Sequence, residues 1–156
     1  MGIKANINTD GVQQYFRLAA EELVKQICLQ LDYLGQSCVK RIKEREDNWT
    51  DRTGNLRASI AAAVFSMARK KAQTALGNTS GIGGSEAQQY IDSIASRYSE
   101  TYALVVVAGM DYAGYVEAME SKDVLNECRL WAEQEVDSYI NDAIENTVAV
   151  MSKVRL

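Results

Sequence analysis

The fold is decided by one short stretch, Thr101-Tyr102-Ala103-Leu104-Val105-Val106-Val107-Ala108, which is followed by Gly109. Its β-branched and aromatic residues are typical of a strand. Because the apolar run is continuous, it predicts a strand that is buried on both faces of its sheet. A partner is predicted upstream, where the stretch 56–67 favours a short turn that leads into a strand, although its alanines also permit a helix.

Upstream of this strand pair, the sequence predicts a long amphipathic helix from Asp10 to about Glu46. Its apolar stripe consists of Val12, Phe16, Ala19, Leu23, Ile27, Leu31, Leu34, Cys38 and Ile42. At about 1.5 Å per residue such a helix is roughly 50 Å long, which exceeds the width of a compact domain of this size. The helix therefore either bends, with Gly35 as the obvious place, or projects and packs against another subunit.

A second long helix is predicted from Asp123, with frayed residues after Met151. Its stripe consists of Val124, Cys128, Trp131, Val136, Tyr139, Ala143 and Val148. Tyr112 to Met119 predicts a short helix, and the stretch 47–55 a loop. The sequence as a whole predicts a single α+β domain over 1–156, with long N- and C-terminal helices packed on a small β-sheet.

The region 68–100 is interpreted as an insertion that contains a loop and a helix. Glycines and small polar residues make 77–85 a loop, but no Gly-Lys-Ser/Thr sequence closes it as a phosphate-binding loop requires. The apolar residues that follow fall on one face of a short helix, namely Ala87, Ile91, Ile94 and Tyr98. Ser85 is predicted to cap that helix.

Composition argues against several functional classes. The chain has a net charge of −4, a pI of about 4.9 and no histidine. An acidic chain does not suit broad binding to nucleic acid, and the absence of histidine removes the commonest general base and metal ligand. The cysteines Cys28, Cys38 and Cys128 show no CxxC spacing and are predicted to be buried free thiols. No apolar run approaches the ~20 residues of a membrane span. We therefore expect no enzyme, no cofactor, no metal and no membrane contact.

Two short motifs instead indicate assembly. The first is Thr53-Gly54-Asn55-Leu56-Arg57-Ala58-Ser59-Ile60, and the second is Tyr112-Ala113-Gly114-Tyr115-Val116-Glu117. If 60–67 pairs with 101–108, both motifs meet at one edge of the sheet. We then expect a salt bridge between Arg57 and Glu117, within one chain or between neighbouring subunits. The alternative is that these are two unrelated surface charges.

The order of these elements resembles the tail-completion or neck proteins of long-tailed bacteriophages. In that family a Thr-Gly-x-Leu-x-x-Ser turn follows a first helix, and a Tyr-Ala-x-x-Val-Glu segment follows a strand. The matching positions here are Thr53, Gly54, Leu56, Arg57, Ser59 and Ile60, then Tyr112, Ala113, Tyr115, Val116 and Glu117. The likeness covers roughly 10–67 and 101–150. The chain departs from the family where Asp51 and Arg52 replace a proline, where Ala118 and Met119 replace a glycine, and in the 68–100 insertion.

The resemblance implies a structural virion protein that forms a ring, commonly a hexamer, in the neck of the particle. Its partners would be copies of itself, proteins of the portal–connector side and proteins of the tail-tube side. It would be made in the host cytoplasm, and DNA would pass its lumen without specific binding. Two alternatives remain open. One is a helical adaptor or regulator that forms dimers, and the other is an enzyme that uses carboxylates such as Asp111 with Glu117 or Glu133 with Asp137.

Overall fold

The computed structural model describes residues 9–45, 53–67, 69–76, 82–118 and 124–154, except for the side chains of Tyr115 and Glu117. The helices are α1 (Asp10–Glu44), α2 (Asn55–Ala58), α3 (Gly83–Ile94), α4 (Ala113–Ala118) and α5 (Asn126–Met151), and the strands are β1 (Ile60–Ser66), β2 (Arg69–Gln73) and β3 (Tyr102–Ala108). A 3₁₀ turn, Ala95–Tyr98, extends α3. The predicted α+β class, with two long helices on a small sheet and an inserted helix, is confirmed.

The three strands form one antiparallel sheet in the order β2-β1-β3. The predicted pairing of 60–67 with 101–108 is confirmed, because β1 and β3 pair from Ile60 opposite Ala108 to Ser66 opposite Tyr102. Both faces of the valine-rich strand pack against an apolar cluster, as predicted, but only Val107 of its seven residues is buried. All of β1 is buried, whereas β3 lies at an edge of the sheet and is mostly half-buried. β1 is the central strand, with β2 on one side and β3 on the other.

Two apolar clusters lie on opposite faces of the sheet because side chains alternate along β1. On one face, Ile60 and Ala62 pack against α1 and α5. On the other face, Ala61, Ala63 and Phe65 pack against α3 and its 3₁₀ turn. The Phe65 ring stacks on Tyr98 with a centroid distance of 5.4 Å. The alanines of β1 therefore sit between two helical layers.

α1 passes through Gly35 without an interruption of the helix, and a bend at this residue stays a prediction. A Cβ atom on Gly35 would lie 2.9 Å from Leu104 Cδ1 and 3.0 Å from Ala62 Cβ. Both distances are shorter than ordinary van der Waals contact. The glycine therefore allows α1 to lie directly on β1 and β3.

Other predictions for the 68–100 region and the last helix need correction. The insertion contains β2, which was not predicted. Ala87, Ile91 and Ile94 of its helix are buried as expected, whereas Tyr98 is half-buried in the 3₁₀ turn. Ser85 lies inside α3, where its hydroxyl donates to the Ile82 carbonyl at 2.7 Å, so it does not cap the helix. α5 begins at Asn126, and Val148 is exposed rather than part of the buried stripe. Asp123 and the stretches 46–52 and 77–81 lie outside the described residues.

Candidate assembly surfaces

The first motif forms a tight turn that leads into β1. Gly54 has φ = 74°, in the left-handed region that favours glycine, and the backbone amide of Asn55 donates to Thr53 Oγ1 at 3.3 Å. Leu56 is buried in the core beneath α1. The Ser59 hydroxyl is also buried and donates to the Leu56 carbonyl at 2.8 Å. Gly54, Leu56 and Ser59 of this motif thus hold the shape of the backbone rather than present a reactive group.

The two motifs meet where β1 begins and β3 ends, as predicted. The Gly109 amide donates to the Ser59 carbonyl at 3.2 Å, one step beyond the Ile60–Ala108 pair. Ala113 of the second motif is buried in the same cluster as Leu56, and Tyr112 is exposed. The paired strands therefore carry both motifs to one end of the sheet.

The proposed Arg57–Glu117 salt bridge stays a prediction because the Glu117 side chain lies outside the described residues. Arg57 itself is half-buried and lies close to Lys43 of α1. Burial lowers the pKa of Lys43, and the Arg57 charge lowers it further. A carboxylate at this end of the sheet would offset the repulsion between the two cations.

α1 and α5 run antiparallel, because the last turns of α1 contact the first turns of α5. The Cys38 thiol hydrogen-bonds to Cys128, which raises the pKa of Cys38 and lowers that of Cys128. The Arg41 guanidinium carbon lies 4.5 Å from the centroid of the Trp131 ring, a cation–π contact between the helices. The charges of Arg45 and Glu127 pair at the same end. These contacts hold the end of the helix pair that covers the sheet.

The opposite end of the helix pair carries an exposed apolar surface, which we call the apolar strip. It consists of Val12, Phe16, Ile144 and Val148. Phe16 is 67% exposed and Val148 is 63% exposed, whereas the described α1 residues before Gln26 include none that is buried. This part of α1 therefore extends beyond the core, and the packing of another subunit against it stays a prediction.

Helix geometry places the four residues of the apolar strip on one face. Val148 and Ile144 each directly follow a buried residue, Thr147 and Ala143, and we place these buried residues on the contact line with α1 because α1 is the main packing partner of α5. Phe16 follows the half-buried Tyr15 in the same way, and Val12 lies one turn earlier. On each helix, the exposed residue is the one that follows a residue facing the other helix. Because the two helices run in opposite directions, this step turns the exposed side chains of both helices toward the same side of the pair. Exposed apolar side chains of both helices therefore lie on the same side of the helix pair.

An apolar groove of about 680 Å³ lies between β3 and α5, and residues of α1 also line it. We call it the β3–α5 groove. Its apolar lining includes Leu31, Leu34, Leu104, Val106, Ala132 and Val136. Arg129 and Glu133 also line it, and their charges pair at 2.6 Å. The sequence analysis missed this groove, although a valine-rich strand without a charged residue was the available signal.

α5 is strongly acidic. Its acidic residues are Glu127, Glu133, Glu135, Asp137, Asp142 and Glu145, against the single base Arg129. Glu133 and Asp137, which the sequence analysis considered as a catalytic pair, are both exposed on this helix, and Glu133 is paired with Arg129. This arrangement is that of a charged helix surface.

Comparison of the chain with family models, with curated proteins and with solved structures returned no match. Among the described residues, no group of three or more histidine, cysteine or acidic side chains is arranged to hold a metal ion. No helix in the described part of the chain has the length and apolar character needed to cross a bilayer.

Proposed function

We propose that this chain is a structural virion protein that forms a ring in the neck of a long-tailed bacteriophage and joins the portal–connector side to the tail. The apolar strip is the observation that carries the proposal. Large apolar side chains exposed together on a projecting helix pair are typical of a surface that another subunit covers. The occupant we propose is a neighbouring copy of the same chain.

The two motifs support the same proposal. Their residues form a turn and a junction between strands, which is the arrangement expected for positions that maintain the shape of a subunit. Gly54 and Ser59 act through backbone geometry. The resemblance to tail-completion proteins therefore rests on residues with a structural role in this fold.

The acidic surface of α5 supports passage of DNA without binding. A duplex is held by clustered Lys and Arg that neutralise its phosphates, whereas carboxylates repel them. α5 has six acidic residues and one basic residue. In the ring we propose that α5 faces the lumen, where its charge keeps the duplex mobile.

The test is head–tail joining in vitro. Filled heads and free tails are prepared from a phage that lacks this gene, and purified protein is added. Wild-type protein is expected to restore infectious particles, and Phe16→Glu is expected to abolish the effect because it places a charge in the apolar strip. Gln14→Glu, which adds the same charge to an exposed position on the same turn, is the control.

Failure of the wild-type protein to restore joining would refute the proposal. The alternative function, a dimeric helical adaptor, predicts a discrete dimer in native mass measurements and no effect on joining. A protein that restores joining while its free form is monomeric remains consistent with a ring that assembles only on the head or tail.

A further inference from the structure

We infer that the β3–α5 groove accepts residues 1–8 of a neighbouring copy of this chain, which add to the sheet as a fourth strand beside β3. This inference deepens the proposed function and rests on it, because it names a contact between neighbouring subunits. The argument starts from the two edges of the sheet.

The edges are built differently. β2 carries Arg69, Lys70 and Lys71, and its pairing with β1 is interrupted by a bulge between Val64 and Phe65. Charges and bulges are the features that protect a sheet edge from pairing with another chain. β3 has neither, since its sequence YALVVVA contains no charge and its register with β1 is regular over seven residues. An edge of this kind needs a cover.

The helical layer extends over a position that no described strand fills. α1 lies over β1 and β3, and α5 packs beside α1. Packed helices stand about 8–10 Å apart, which corresponds to roughly two strand spacings of ~4.8 Å. α5 therefore stands about two strand positions from β1, over the place next to β3. The β3–α5 groove is that place, because residues of β3 and of α5 line it together.

The cover must be an extended segment rather than a second folded sheet. α5 already occupies the helical layer above the groove, so a strand that brought its own helix would collide with α5. A peptide that binds an edge strand beneath a helix avoids the collision, and it gains main-chain hydrogen bonds together with pockets for alternate side chains.

Residues 1–8 have the required pattern. The sequence Met1-Gly2-Ile3-Lys4-Ala5-Asn6-Ile7-Asn8 alternates apolar and polar residues from Ile3 onward. That alternation suits a strand with one face against apolar side chains and the other toward water. The positively charged Lys4 also suits the neighbourhood of the acidic helix α5.

The segment cannot serve the groove of its own chain. Leu31, the first α1 residue that lines the groove, lies 21 residues beyond Asp10, a rise of about 32 Å along the helix. The eight residues before Thr9 span at most ~27 Å when fully extended. They leave α1 at the end that carries the apolar strip, so a neighbour that packs on this strip is within their reach.

The binding test uses a fluorescent peptide of residues 1–8 and a chain that lacks residues 2–8. Fluorescence anisotropy is expected to show saturable binding. Val136→Glu, which places a carboxylate in the groove, is expected to weaken binding about thirty-fold or more because the charge would be buried without a partner. Gln134→Glu, an exposed change of the same charge on α5, is the control. Circular dichroism verifies that both variants are folded.

Two variants of the peptide test which of its faces enters the groove. Ile7→Asp is expected to abolish binding, whereas Asn6→Asp is expected to leave it within a few-fold. Absence of saturable binding, or binding that Val136→Glu does not change, would overturn the inference and assign the groove to another occupant, including another part of the same chain.

Failure of this inference is distinguishable from failure of the proposed function. If full-length protein restores head–tail joining but the peptide does not bind, the neck function is supported and the binding of residues 1–8 in the groove of a neighbouring copy is refuted. If the peptide binds in a manner that depends on Val136 but the protein restores no joining, the binding of residues 1–8 between copies of the chain is supported and the neck function is refuted.

Discussion

Replacement of Gly35 by alanine tests how closely α1 lies on the sheet. In an exposed helix, Gly→Ala stabilises by about 1 kcal/mol. At this position the new Cβ would lie 2.9 Å from Leu104 Cδ1 and 3.0 Å from Ala62 Cβ. Overpacking of this kind costs ~1–3 kcal/mol. The sum predicts that Gly35→Ala lowers the free energy of unfolding by about 0–2 kcal/mol.

Gly11 is the matched control, because it lies in the same helix and a Cβ there would meet nothing within 4 Å. Gly11→Ala is expected to stabilise by up to about 1 kcal/mol, so the two variants should differ by ~1–3 kcal/mol. The measurement is urea unfolding followed by circular dichroism at 222 nm. Equal stabilisation by both substitutions would contradict the close approach of α1 to the sheet.

A double-mutant cycle tests whether contact with Ala62 causes the loss of stability in Gly35→Ala. Ala62→Gly removes one of the two atoms that the new Cβ would meet, at its own cost as a glycine in a strand. If the contact is the reason for the loss, Gly35→Ala should be less harmful in the Ala62→Gly background, by about 1 kcal/mol. Additive effects would mean that the loss has another origin.

Three further perturbations test other parts of the structure. Gly54→Ala should lower stability by about 1–2 kcal/mol in urea unfolding because φ = 74° is strained for a residue with a Cβ, and Gly54→Asn should lower it less. Diamide, which removes one hydrogen from each of two thiols, should join Cys38 to Cys128 within one chain, as peptide mapping would show. The closed loop should stabilise the oxidised protein by up to ~4–5 kcal/mol, and a disulfide between chains instead would contradict the helix pairing. Hydrogen bonds from Lys70 and Gln88 lower the pKa of Asp92 below its ordinary 3.8, so this carboxylate stabilises the fold above its unfolded pKa and loses that effect as the pH falls through its folded value. Asp92→Asn should thus be less stable than wild type near neutral pH and converge with it in acid, and a constant difference would refute the assignment.

The elements of this fold were largely predictable, because periodicity is a local property. Helical spacing in α1 and α5 and the β-branched run in β3 each identify the element that forms. β2 escaped prediction because its Arg-Lys-Lys-Ala-Gln sequence has no apolar alternation. Its strand conformation depends on pairing with β1, which lies outside the segment itself.

Burial was less predictable because it depends on the order of strands in the sheet. The valine-rich β3 lies at the edge, and the alanine-rich β1 lies at the centre. Nothing within either segment states which neighbours it will have. Gly35 illustrates the same limit, since a glycine in a helical pattern predicts a weak point, whereas its use here is set by Ala62 and Leu104 from distant parts of the chain.

The candidate surfaces divide in the same way. The turn at Gly54 was predictable because the residues of a turn determine its shape locally. The meeting of the two motifs was predictable because the pairing of β1 with β3 brings both to one end of the sheet. The uncharged β3 was a signal for an apolar surface, but the place of the β3–α5 groove was not predictable, because it depends on how α5 packs relative to the edge of the sheet.

The three consecutive alanines of β1, from Ala61 to Ala63, bear on how this chain can diverge. Helices cross both faces of the strand there, and each alanine is at most 2% exposed. A larger side chain at any of them would push one layer outward. Natural variants should consequently keep small residues at these three positions even where the rest of the sequence has drifted beyond recognition, so the spacing of small residues in a central strand is the trait by which distant members of this lineage are best sought.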